Sequence, residues 1–427
     1  MRSLRHALLM LLAVLPLPAL AQRVVEISGA NFRPLPLAYP AALPRGAPAD
    51  VLKEFDEALL FDFTAAGIFD VLDRKGFLAA PNEGATASSI AFRRWSDVGA
   101  EVLVKVELAQ AGEAVRADLR AFTVGSGTEK FKLSESGPSR DVRKLAHALA
   151  DKVYEQFTGE PGPFRGHVAY VRRVGSNKDV YLADWDGKNG RRVTQGGLNL
   201  LPAVLPGEEA VAFTSYMKGK PDLYAQRPGG PPRPLEQKGQ MATGVAYSPD
   251  ARYIAYALAQ GESAQIHVAR ADGSEAKQVT NTANHINSSP CWSPDGRQLA
   301  FVSNRAGSPQ VYVMNADGTN VRRLTFQGSY NQTPDWSPRG DLIAFTARDE
   351  RNAFDVFTVA VDSGKIERVT QGEGNNEEAC FSPNGRLLLF TSTRRGAREL
   401  WVSTLDGKRQ APLPMEKGEY TTPDWSR

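Results

Sequence analysis

The sequence predicts an α+β N-terminal domain followed by an all-β, six-bladed β-propeller whose ring is closed by the C-terminal strand. Three observations predict it. A phrase recurs, as Cys291-Trp292-Ser293-Pro294-Asp295-Gly296, Asp335-Trp336-Ser337-Pro338-Arg339-Gly340 and Cys380-Phe381-Ser382-Pro383-Asn384-Gly385, with a weaker copy at Ala246-Tyr247-Ser248-Pro249. Its serines, at 248, 293, 337, 382 and 426, lie 44 or 45 residues apart. Six aromatic-ended words mark a second strand in each unit: Val168-Ala169-Tyr170, Val211-Ala212-Phe213, Ile254-Ala255-Tyr256, Leu299-Ala300-Phe301, Ile343-Ala344-Phe345 and Leu388-Leu389-Phe390. The first unit begins at its second strand, and the missing one stands at the far end as Pro423-Asp424-Trp425-Ser426. Short strands repeating at this period are the signature of a propeller, because one blade cannot bury its faces alone.

From the beginning, residues 1–21 read as a signal peptide, with Arg2 and Arg5 before an apolar run and Ala19-Leu20-Ala21 at the cleavage site. The mature chain is expected to start at Gln22, which is not Cys, so no lipid anchor is expected. No later apolar run approaches the roughly 20 residues of a membrane helix. The formal charge of +3 gives no electrostatic case for nucleic acid. Two cysteines make no disulfide framework; Cys291 and Cys380 are expected as small buried hydrophobes.

Residues 22–158 form the expected N-terminal docking domain. A strand-like opening at Arg23-Val24-Val25-Glu26-Ile27 precedes a Pro- and Ala-rich stretch. A helix follows from Ala49 to about Ala66, with Val51, Phe55, Leu59 and Phe63 on one face. Phe69 to Leu72 reads as a strand, Glu101 to Leu108 and Ala114 to Thr123 as a hairpin, and Phe131 to Leu133 as a third strand. A second helix runs from Ser139 or Asp141 to about Phe157. Gly- and Pro-rich residues 159–164 are a linker.

Residues 165–427 hold the propeller. Ser-Pro-Asp-Gly suits a tight turn between first and second strands, and Asp186-Gly187, Asp272-Gly273, Asp317-Gly318 and Asp406-Gly407 suit the turns between third and fourth. The second unit departs, with Leu205-Pro206-Gly207 and a Pro-rich outer edge. Both tight turns share one end of the ring. The longer, variable loops share the other, where binding loops on a rigid scaffold belong. There the blade-to-blade loops give a polar, acidic centre, and Arg172, Arg173, Lys178, Lys218, Lys220, Arg305, Arg348, Arg351, Arg394 and Arg395 a basic surround. That pattern suits a folded protein partner.

Catalytic motifs are missing. His147, His167 and His267 read as structural, and His285 on the binding face has no acid–nucleophile set beside it. Asp335 and Asp424, each one residue before the inner-strand aromatic, are candidates for a cation in the channel. No cofactor or resident metal is expected. A secreted propeller hydrolase or lyase with a loop-borne site is the alternative reading, since propeller enzymes assemble sites from scattered loops.

An export signal, an α/β domain of this size and six repeats of this wording resemble the TolB family, the periplasmic propellers of the Tol-Pal cell-envelope system. The resemblance spans the mature chain. It implies a periplasmic, non-enzymatic adaptor for outer-membrane integrity and envelope constriction at cell division. It implies TolA binding through the N-terminal segment, here Gln22, Arg23, Val24, Val25, Glu26, Ile27, Ser28 and Gly29. It implies binding of the lipoprotein Pal at the propeller mouth, and leaves room for other outer-membrane or peptidoglycan-linked partners. The mouth positions are Met241, His285, Asn287, Ser288, Ser289, Tyr330, Gln332, Thr333, Asn376, Glu377, Glu378, Tyr420 and Thr421. Ser288 falls where the family's Pal-contacting loop carries Thr, and Met241 where some members carry a Pal-contacting His.

Overall fold

The computed structural model describes residues 33–80, 83–235 and 241–426. The expected signal peptide and the segment 22–29, with its opening strand, lie outside the described residues. The N-terminal region holds β1 (Leu35–Ala38), β2 (Leu43–Arg45), α1 (Ala49–Ala65), β3 (Phe69–Val71), α2 (Phe92–Asp97), β4 (Val102–Ala111), β5 (Ala114–Thr123), β6 (Thr128–Pro138) and α3 (Val142–Thr158). The sheet runs β3-β1-β4-β5-β6, with β2 also on β4. Phe55, Leu59 and Phe63 of α1 and Leu149 and Val153 of α3 are buried in its core, as their spacing of four predicts. Two strands escape the sequence reading. Pro36 and Pro44 argue against β1 and β2, since proline donates nothing to a ladder. Pro36 serves as an acceptor instead, its carbonyl taking the Glu101 N–H at 2.9 Å.

Six four-stranded antiparallel sheets follow. Blade one joins Glu419–Trp425, from the C-terminal end, to His167–Val174, Asn177–Asp184 and Arg191–Arg192. The inner strands of blades two to six are Asn199–Val204, Ala242–Tyr247, Asn287–Trp292, Asn331–Trp336 and Asn376–Phe381. The recurring phrase is turn chemistry. In blade four, Ser293 donates to Asp295 at 2.6 Å and accepts the Gln298 N–H at 2.9 Å. Gly296 supplies the required positive φ of 68°. Ala251 adopts +56° in blade three's copy of the turn. His267 fills an aromatic slot, stacked on Tyr256 as Tyr312 is on Phe301. Cys291 and Cys380 are buried thiols, with no disulfide between them.

A polar triplet fastens one blade to the next. A third-strand Gln or Asp accepts from the Thr two residues past the fourth strand and from the Asn opening the following blade. The sets are Gln265–Thr280–Asn287, Gln310–Thr325–Asn331 and Asp355–Thr370–Asn376, at 2.7–3.0 Å. All nine side chains are buried, so losing an acceptor strands two donors out of water. Gln310→Ala is expected to lower stability by about 2–4 kcal/mol, about 1–3 for each stranded donor less some relief by entering water. Urea denaturation monitored by tryptophan fluorescence checks this.

The N-terminal region docks on the tight-turn face. Glu160 accepts from Arg386 at 2.8 Å and from Arg339 at 3.2 Å, both beside first-to-second-strand turns. Arg143 pairs with Asp186, and Arg409 donates to the Phe69 carbonyl. Trp185 stacks on Phe61 of α1 and on Trp425 of the closing strand. The loop face at the other end of the ring is left open by this docking.

Candidate functional site

All six inner strands break register at the same point, between Leu200 and Ala203, Thr243 and Ala246, Ser288 and Cys291, Gln332 and Asp335, Glu377 and Cys380, and Thr421 and Asp424. One residue of each bulge has positive φ: Leu201, Gly244, Ser289, Thr333, Glu378 and Thr422, at 48–66°. Only one is glycine. Backbone of this kind costs of order 1–3 kcal/mol per residue and persists where neighbours over-determine it. Here the neighbours are the adjacent blades. Glu378 N–H donates to Thr346 Oγ1 at 2.9 Å, Gly244 N–H to Thr214 Oγ1 at 3.2 Å, and Thr422 N–H to Glu378 Oε2 at 2.7 Å. The bulges ring a channel cavity of about 220 Å³ to which every blade contributes.

Asp335 and Asp424 line this cavity, but each has a structural task. Asp335 accepts the Phe381 N–H of the next blade at 2.8 Å, and Asp424 accepts that of Val204 at 2.6 Å. Among the described residues no group of three or more His, Cys, Asp or Glu is placed to hold a metal ion.

The residues expected at the mouth separate into two sets. Met241 is exposed, and His285, Ser288, Ser289, Tyr330, Gln332, Thr333, Glu377, Glu378 and Thr421 are half-buried around the rim. Asn287, Asn376 and Tyr420 are buried, which corrects their reading as contact residues. The two asparagines are spent on the triplets, and Tyr420 packs edge-on to Tyr170 with its hydroxyl on the Glu416 carbonyl. They shape the mouth from beneath. Burial pushes the carboxyls of Glu377 and Glu378 above the usual range, and the negative Glu378 beside Glu377 adds to the effect there.

The basic surround is also partly structural. Arg394 lies 4.2 Å over Trp401 and donates to Ser392 and Asn376; Arg305 lies 4.9 Å over Tyr312 and donates to Asn287. Burial lowers the pKa of both. Arg172 and Arg348 likewise cover tyrosine rings. The sequence reading missed an apolar arc across blades two to four, where Leu198, Leu201, Tyr216, Met217 and Ile286 join Met241 as exposed side chains. Aligning the Asn that opens blades two, four, five and six would have revealed it, because Leu201 then falls in the slot of Ser289. The mouth is thus two-sided, apolar on blades two to four and acidic at blade six.

Residues 154–427 match the TolB beta propeller domain, and residues 23–130 the TolB amino-terminal domain. The chain belongs to the TolB family. The Tol-Pal system protein TolB of Myxococcus xanthus is 60% identical over 425 residues, 99% of either chain. That of Anaeromyxobacter dehalogenans is 43% identical over 427 residues, covering 99% of this chain and 98% of the relative. The crystal structure of TolB from Acinetobacter baumannii shares the fold, with a TM-score of 0.79 over 92% of this chain and 97% of that one at 23% identity. The TolB fold is thus built here with its N-terminal region on the tight-turn face and its channel mouth open. No helix among the described residues is long and apolar enough to cross a membrane.

Proposed function

We propose that this protein is a non-catalytic periplasmic adaptor of the Tol-Pal system, working by protein contact at the cell envelope. Its propeller mouth receives the lipoprotein Pal, and its segment 22–29 receives TolA. The adaptor so linked supports outer-membrane integrity and envelope constriction during division. The observation that carries the reading is full-length relatedness to proteins named Tol-Pal system protein TolB. The mouth agrees with it: an exposed apolar arc beside an acidic rim, on a ring stiffened by inter-blade bonds, is the chemistry of a protein interface. Envelope partners follow from the same relatedness.

Capture of purified Pal by the full chain tests the reading. Met241→Glu with Ser288→Arg places charge on the rim without touching the triplets or the Glu378 bond. It is expected to weaken capture at least tenfold while leaving the unfolding midpoint in place. Deleting residues 22–29 is expected to abolish TolA capture only. Undiminished Pal capture by the rim variant would remove the mouth from the proposal.

A further inference from the structure

The seam between the N-terminal region and blade one encloses four ionisable side chains. Asp62 comes from α1, Arg143 and His147 from α3, and Asp186 from the turn after blade one's third strand; none is more than 6% exposed. Asp62 Oδ2 lies 2.7 Å from His147 Nδ1, and Asp62 Oδ1 accepts the Trp185 indole N–H at 2.9 Å. Arg143 pairs with Asp186. His147 Nε2 has no hydrogen-bond partner and stands 3.8 Å from Asp186 Oδ2. A cavity of about 160 Å³, lined by Lys144, His147, Phe164, Arg165, His167 and Asp184, reaches the histidine along the seam.

We infer that this cluster is a proton-operated latch: protonated His147 locks the N-terminal region onto blade one, and loss of that proton loosens the seam. With the imidazole protonated, two cations face two carboxylates. Nδ1–H donates to Asp62, and Nε2–H points its charge at Asp186. Without that proton the enclosed cluster carries an unbalanced negative charge across the seam, which a low-dielectric interface penalises. The cavity gives the proton a path. Further groups face the site: Lys144 and Asp151 on α3, Arg165 before blade one, and His167 and Asp184 within it. Arg165 is held 3.0 Å from Asp151, and His167 is 3.5 Å from Glu209.

The sign follows from the two shifts. Burial pulls the His147 pKa down, but Asp62, Asp186 and Asp184 together outweigh it, so the net shift is upward from 6.5. That stabilisation is full below the ordinary histidine value and is lost as pH rises through the raised one. Asp62 is raised by burial to about 6, so the docked state also holds this proton more tightly than the unfolded chain does. Both groups therefore weaken the folded state as pH rises, and the part of the His147 shift that acts on docking is the attraction of blade one's Asp186 and Asp184, since Asp62 lies in the same region as the histidine.

Hydrogen exchange of the full chain tests the latch, using peptides covering 143–150 and 182–188 between pH 5.5 and 8.5 with intrinsic rates divided out. Protection in the wild type is expected to fall about tenfold for each unit by which docking raises the histidine pKa. His147→Gln keeps a donor to Asp62 without a titration and is expected to flatten the profile. A flat wild-type profile, or an unchanged slope in His147→Gln, overturns the latch. Should the variant fail to fold, the imidazole carbon resonance of His147 decides: a midpoint at or below 6.5, or one that Asp186→Asn leaves in place, overturns the latch, and one above 6.5 that Asp186→Asn lowers supports it.

Discussion

Removing residues 419–427 is expected to unfold the propeller as a whole instead of trimming one blade. The lost strand is paired along His167–Val174 on one side and packs against the inner strands of blades two and six on the other. It carries Asp424, which caps Val204 of blade two, and Thr422, which donates to Glu378 of blade six. Ser426 accepts the His167 N–H at 2.7 Å. Without the strand, blade one shows an unpaired edge and the ring loses closure between two neighbours. Trp425 alone is 2% exposed, and Trp425→Ala is expected to cost about 3–5 kcal/mol, as large-to-small core changes do. For the truncation, guanidinium titration followed by far-ultraviolet circular dichroism should lose its cooperative transition. A transition within about 1 kcal/mol of wild type would show that the other five blades close without it.

How much of this was legible depended on how local the cause was. The turn phrase is local: Ser293, Asp295 and Gly296 bond within five residues, so spelling revealed blades, strand order and the clasp. The triplets are not local. Asn287 and Asn376 look like loop-face polar residues until Gln265 and Asp355, some twenty residues back, are seen to hold them in the core. Tyr420 misled for the same reason, its burial depending on Tyr170 at the other end of the chain. Blade two hid its apolar arc because it lacks the phrase, which left Leu198 and Leu201 without a register. Nothing local marked β1 either, whose one proline, Pro36, is tolerated because the neighbouring chain uses its carbonyl. The site's face could be read from strand order; which rim residues are exposed could not, because exposure there is decided by contacts between blades.

Domain docking was the least legible feature, and Trp185 is where it should fail. The sequence presents this residue as the neighbour of an ordinary Asp-Gly turn, yet it is fully buried between the two halves of the protein. Its ring is nearly parallel to that of Trp425, at 5.3 Å, and stacks on Phe61 and tilts against Phe164, each at 5.2 Å. Its indole N–H satisfies Asp62. Trp185→Ala therefore removes these three ring contacts, an edge-on contact with His147 and a donor to a buried carboxylate. The expected cost is about 3–5 kcal/mol from the cavity left behind, divided between docking through Phe61 and the clasp's Trp425. Because the triplets and bulges hold the ring without this seam, and the clasp loses only the Trp425 stack, calorimetry should split into two transitions, the N-terminal region melting first. Trp185→Phe separates the contributions, since it keeps a ring in the stack and strands only Asp62, at about 1–3 kcal/mol. A single unshifted transition in Trp185→Ala would mean that the ion pairs across the seam, Glu160 with Arg339 and Arg386 and the buried Arg143 with Asp186, hold the regions together. The Glu160 pairs, partly exposed, contribute about 0–1 kcal/mol each, too little to replace a buried tryptophan.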